Sequence, residues 1–152
     1  METLHYLEMI IKIRGVNVSD GPYRCIEDFV LRHGQAYEPA ELPGRFAPMQ
    51  KRQCFYNCTM LALEHADLTY VEGYARNIIP TLHAWCVDSL GRVIDPTWDY
   101  DAGHQYYGVP FSRDYLRQVF EKEDKKFYGL LDSPETGWPL ITGKHTQFRQ
   151  AA

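Results

Sequence analysis

Arg52-Gln53-Cys54-Phe55-Tyr56-Asn57-Cys58 and, further along, His83-Ala84-Trp85-Cys86-Val87 are the stretches whose reading decides the fold of this chain. After Cys54, the residues Cys58, Leu61, Ala62 and His65 recur at alternating spacings of three and four. That period lines up one buried stripe of a helix, and it puts Cys54 at the helix start. The residues that follow change character. Thr69 to Ala75, Leu82 to Val87 and Arg92 to Ile94 are rich in β-branched and aromatic side chains, with Asp88-Ser89-Leu90-Gly91 as a hairpin turn between the last two. The expectation is an α+β fold: a thiol-bearing helix packed on a small sheet of three neighbouring antiparallel strands.

Working outward, Leu7 to Ile13 is a short apolar run that fits either a strand or a few helical turns. Asn17 to Pro22 has turn chemistry, and Tyr23 to His33 repeats apolar residues at helical spacing up to Gly34. Pro39, Pro43, Gly44 and Pro48 make Ala36 to Gln50 a loop. On the other side, Gly103 to Pro110 reads as a Tyr-rich, Gly-containing connection, and Ser112 caps a helix running to Phe120. Beyond Gly129 the chain is turn-rich.

With 152 residues the chain is sized for one domain, residues 1–152, and a hydrophobic fraction of 45% with 14% aromatics is ample for a core. A net charge of −4 leaves no basic field for a nucleic-acid backbone. The dense basic stretches, Lys51-Arg52 and Lys122 to Lys126, are short, and the second alternates with acids as a solvated helix face does. No run is long and apolar enough to cross a bilayer, and the first residues lack an export pattern. The expectation is a cytoplasmic protein in which Cys25, Cys54, Cys58 and Cys86 stay as thiols.

A thiol at a helix start, an imidazole on a strand and a carboxylate at the end of the next strand are the parts of a Cys-His-Asp nucleophilic site. Free N–H groups at a helix start and a nearby imidazolium both favour the thiolate. The N–H of Cys54 itself is free to hold an oxyanion. His83 and Trp85 project to one face of their strand while Ala84 and Cys86 project to the other, so the helix end has to meet His83 by packing on that sheet. Asp95, brought back by the turn, is the orienting acceptor, and Asp88 is a worse-placed rival. Cys25, Cys58 and Cys86 read as core thiols, and His5, His33, His65, His104 and His145 as ordinary surface or core donors. Zinc is the chemical rival, through Cys54-x-x-x-Cys58 and His83-x-x-Cys86, but those last two diverge on a strand. No metal or other cofactor is expected.

Four motifs in order carry a resemblance: Gln53-Cys54-Phe55, Tyr70-Val71-Glu72-Gly73-Tyr74, His83-Ala84-Trp85 with Val87, and Val93-Ile94-Asp95-Pro96-Thr97-Trp98. Over about Gln50 to Phe111 the chain resembles the transglutaminase-like branch of the papain-like thiol enzymes. The resemblance implies a papain-like, transglutaminase-like core and a hydrolase or acyl-transfer activity of amidase, peptidase or deamidase type. Cys54 then attacks, His83 moves the proton and Asp95 orients His83, on a peptide, protein or small amide substrate. It also implies oxyanion help from Gln50 or Gln53, a cleft walled by Trp98, Tyr100, Tyr106 and Tyr107, and a substrate contact from Trp85. Two departures stand out. Arg52 replaces the usual glycine before the Gln-Cys pair, and the short loop Arg76 to Pro80 leaves little room for an acyl-acceptor channel, which favours hydrolysis over crosslinking. The family also contains inactive relatives, so a peptide- or protein-binding module is the alternative. Oligomeric state is left open.

Overall fold

A computed structural model describes residues 2–14, 21–123 and 127–150. The turn expected at 17–20 and the end of the basic stretch, 124–126, lie outside the described residues. The architecture is mixed α+β, and the described residues include four α-helices, α1 Thr3–Arg14, α2 Ile26–His33, α3 Cys54–Glu64 and α4 Arg113–Glu123. Five strands, β1 Gln35–Tyr37, β2 Thr69–Arg76, β3 Pro80–Val87, β4 Val93–Ile94 and β5 Gln105–Phe111, form one antiparallel sheet in the order β1-β5-β2-β3-β4.

The ambiguous first segment is helical: Thr3 and Leu7, four apart on α1, are buried together. Helix α2 carries Glu27 and Asp28 in its first turn and Arg32 and His33 in its last, the charge order that suits the helix dipole. The Ser112 hydroxyl accepts from the Tyr115 N–H at 3.1 Å, the cap expected for α4.

Two expectations need correction. Gly103 to Pro110 is not a connection but mostly strand β5, which pairs with β2 on one side and β1 on the other. The prolines of the 36–50 loop likewise hid the fact that β1 ends inside it, at Tyr37. Proline is tolerated within β5 because β1 covers only Tyr106 to Gly108, which leaves β5 an edge strand on that side at Pro110.

All four helices and the C-terminal segment contribute to a large core on one face of the sheet, including Leu7, Phe29, Leu61, Leu116 and Leu131. A smaller cluster of Tyr37, Val71, Ala75, Trp85, Val87, Val93 and Tyr106 fills the other face. Gly73 and Gly108 sit opposite each other in the β2–β5 ladder. A methyl group on Gly108 would lie 2.7 Å from the Trp85 ring. The bare backbone there makes room for the indole that underlies His83.

One carboxylate is sealed in the large core. Glu72 is fully buried and accepts from the Tyr70 hydroxyl at 2.5 Å, from the Leu130 N–H at 2.7 Å and from the Leu131 N–H at 2.7 Å. It thereby ties the C-terminal segment to β2. Gly129, with φ +107°, makes that approach possible, since a Cβ there would stand 2.9 Å from both Glu72 oxygens and 3.0 Å from Phe55.

Candidate active site

Helix α3 packs on the Ala84 and Cys86 face of β3, not on the face that His83 and Trp85 share. Cys58 Sγ donates to the Ala84 carbonyl at 3.3 Å, and Cys86 Sγ to the Cys58 carbonyl at 3.4 Å. Cys54 and His83 meet all the same, because β4 pairs only with Cys86 and Val87 and leaves β3 an open edge at His83. Asn57 Nδ2 fixes the approach by donating to the Gln50 carbonyl at 2.8 Å and to Thr97 Oγ1 at 3.0 Å, and the Met49 N–H bonds the Pro96 carbonyl at 2.8 Å. The start of the helix and the turn after Asp95 are thus laced together.

His83 is 3% exposed and Asp95 6%. His83 Nε2 lies 2.9 Å from Asp95 Oδ2, and the Cys54 side chain is close enough to the ring to favour its charged form. With Nε2 taken, Nδ1 is the nitrogen left for the sulfur. Asp95 is held at both oxygens: Oδ1 accepts from the Thr97 and Trp98 N–H groups at 3.0 and 3.1 Å, and Oδ2 accepts from the Tyr106 hydroxyl at 2.9 Å. Asp88, the rival orienter, is occupied in its own turn, where it accepts from Leu90 N, Arg92 N and Arg92 Nε.

Burial works against a charged His83, but the hydrogen bonds to Asp95 and Cys54 outweigh it and hold the ring up at about 9. Burial also pushes Asp95 up, yet the His83 ring and the two backbone N–H groups bring its carboxyl below the ordinary value. At neutral pH this pair is an imidazolium beside a carboxylate. Glu72 differs: burial raises it to about 7 against the pull of Tyr70, Leu130 and Leu131.

Both raised groups make stability fall as pH rises. His83 contributes fully below 6.5, and the contribution is lost as pH climbs through about 9. Glu72 contributes below 4.5 and loses it through about 7. Urea unfolding should give the highest stability near pH 5 and a decline toward pH 9, with His83 accounting for something on the order of 3 kcal/mol. His83→Gln should flatten the portion above pH 6.5; an unchanged profile in that variant would assign the slope elsewhere.

The expected substrate contacts divide. Trp98 stacks on the His83 ring with centroids 4.2 Å apart and is half-buried, beside a groove that it lines with Tyr100. Trp85 is fully buried beneath the site, so it is a floor and not a substrate contact. Tyr107 faces the large core and donates to the Leu31 carbonyl at 3.2 Å, on the opposite side of the sheet from His83, so it does not wall the cleft. Tyr106 does face the site, but as a buried donor to Asp95. Gln50 and Gln53 both have exposed side chains at the start of α3. Gln50 contributes its carbonyl to Asn57, and Gln53 lines a second groove.

Asn57 and Thr97 were missed as site residues, and Tyr106, expected as a cleft wall, is a donor to Asp95 instead. The signal available for Tyr106 was alternation along Gln105 to Phe111, which places it on the Trp85 face. Arg52 has φ +65°, the left-handed conformation, at a cost of about 1 kcal/mol for a residue with a Cβ. The four cysteines are free thiols, and only Cys54 is not fully buried. No group of three or more His, Cys, Asp or Glu side chains able to hold a metal occurs among the described residues. None of the described helices is long and apolar enough to cross a membrane. The chain matches no family model, no curated protein and no solved structure.

Proposed function

We propose that this chain is a thiol-dependent hydrolase or acyl-transfer enzyme of papain-like, transglutaminase-like architecture, acting on an amide or related acyl carbonyl. The observation that carries the reading is buried His83, hydrogen-bonded to a fully satisfied Asp95 and close enough to the Cys54 side chain for the two to interact. Asp95 accepts the Nε2 proton, which leaves Nδ1 to receive the thiol proton, and the imidazolium so formed is the state that Asp95 favours at neutral pH. Transfer of the thiol proton gives a thiolate and an imidazolium that Asp95 stabilises.

The thiolate then attacks the carbonyl carbon, and the oxygen takes up negative charge. At the first position of α3 the Cys54 N–H has no intrahelical acceptor, so it faces that oxygen together with the positive end of the helix dipole. His83 returns its proton to the departing amine as the carbon–nitrogen bond breaks, leaving a thioester. Water, deprotonated by His83, hydrolyses it, or an amine takes its place in transfer.

Iodoacetamide at pH 7, followed by peptide mass analysis, tests the nucleophile. Cys54 should be labelled about 100-fold faster than Cys25, Cys58 or Cys86. Burial alone protects those three, so the decisive arm is His83→Ala, which should slow Cys54 labelling by about tenfold or more. An undiminished rate in that variant would show that His83 does not activate the thiol.

A further inference from the structure

A groove of about 640 Å³ begins at the residues flanking Cys54 on either side, Gln53 and Phe55. Its walls are aromatic: Phe55 and Tyr56 from α3, Phe120 from α4, and Phe127 and Tyr128 from the segment after it. Tyr56 and Tyr128 are 50% and 73% exposed, an apolar surface left open to water. The far wall is not loose, because Glu72 anchors Leu130 and Leu131 directly after it and Gly129 packs against Phe55. Arg52 also lines the groove, and among the described residues its guanidinium has no ion pair or hydrogen bond. Lys51, its neighbour, is paired to Asp99 at 2.9 Å on the other side of the site.

We infer that this groove receives the acyl part of the substrate, a large apolar, preferably aromatic, side chain with an anionic group within reach of Arg52, as in an acidic peptide. The inference rests on the thiol reading above. His83 protonates the leaving group, so the leaving group lies on the His83 and Trp98 side, over the smaller groove of about 310 Å³. The acyl side chain takes the opposite side of Cys54, where a volume of this size accommodates an aromatic ring with its flanking backbone. Burial of the ring against Phe55, Phe120 and Phe127 supplies affinity, and the unpaired guanidinium favours a carboxylate at the mouth.

The probes are 4-nitrophenyl esters of N-acetylglycine, N-acetylphenylalanine and N-succinylphenylalanine, with the release of 4-nitrophenolate as readout. In acylation the sulfur–carbon bond forms as the carbon–oxygen bond breaks, and 4-nitrophenolate leaves with the electron pair. Water then attacks the thioester, releasing the acid and restoring the thiol. The phenylalanine ester should acylate the wild-type protein at least about tenfold faster than the glycine ester, a preference lost in Phe120→Ala and in the exposed-site variant Tyr128→Ala. The succinyl ester should exceed the acetyl one by about threefold at low salt, an advantage lost in Arg52→Gln. Equal rates for glycine and phenylalanine, or for succinyl and acetyl, overturn the substrate class. Iodoacetamide, too small to need the groove, separates the two failures. If Cys54 labelling still depends on His83, the thiol reading survives alone; if it does not, both fall.

Discussion

Glu72→Ala is expected to lower the free energy of unfolding by about 3–5 kcal/mol, because the change strands several buried donors at once. The Leu130 and Leu131 N–H groups and the Tyr70 hydroxyl all lose their acceptor in a place that water does not reach. The truncation also opens a void beneath Gly129, where the two carboxylate oxygens now fill the space. Urea unfolding measures the loss. Limited proteolysis adds a local readout, since the segment around residues 127–131 should become cleavable before the rest of the chain unfolds. A loss below about 1 kcal/mol would mean that this carboxylate does not hold the segment.

The second large effect belongs to Asp95→Asn, which should reduce acylation of Cys54 by about 10²–10⁴-fold with little change in overall fold. The direction follows from counting donors. The position of Oδ1 must remain an oxygen, because it faces the Thr97 and Trp98 N–H groups. The amide nitrogen is then turned toward His83 Nε2 and the Tyr106 hydroxyl. Tyr106 adapts by rotating its proton, but His83 adapts only by moving its proton to Nδ1. That tautomer presents a donor to the Cys54 sulfur and has no lone pair there to take the thiol proton. Asp95→Asn should therefore slow the chemical step far more than it weakens ester binding, a distinction read from separate kcat and KM values. A variant with near-normal acylation would show that the tautomer is not what Asp95 controls.

Much of the site was legible along the chain because its signals are local. The three-and-four spacing after Cys54 specifies a helix whatever it packs against, and α3 starts at Cys54 as that spacing requires. Alternation on β3 put His83 and Trp85 on one face and Cys86 on the other, and the tight Asp88 to Gly91 turn brought Asp95 back to His83. Alternation assigns a face but not its exposure. That Trp85 is buried depends on Gly108, whose bare backbone lets the Trp85 indole sink against the sheet.

Strand β5 was hidden for a related reason. Gly108 and Pro110 weaken its local preference, and its stability comes from pairing with β1 and β2, which lie far away in sequence. With β5 unread, the role of Tyr106 was unread as well. Nothing near Glu72 in sequence announces that the backbone of Leu130 and Leu131 will supply its donors.

The amino-acid order by itself determined which groups make up the candidate site and on which elements they sit, because helical and strand periods are properties of neighbouring residues. Tertiary structure decided how they meet. Helix α3 covers the face away from His83, yet Cys54 at its start acts on the imidazole, beside which β4 is two residues long and leaves β3 unpaired. Where a sheet ends, and which helix closes over it, is set by packing among distant segments, and no local pattern records it.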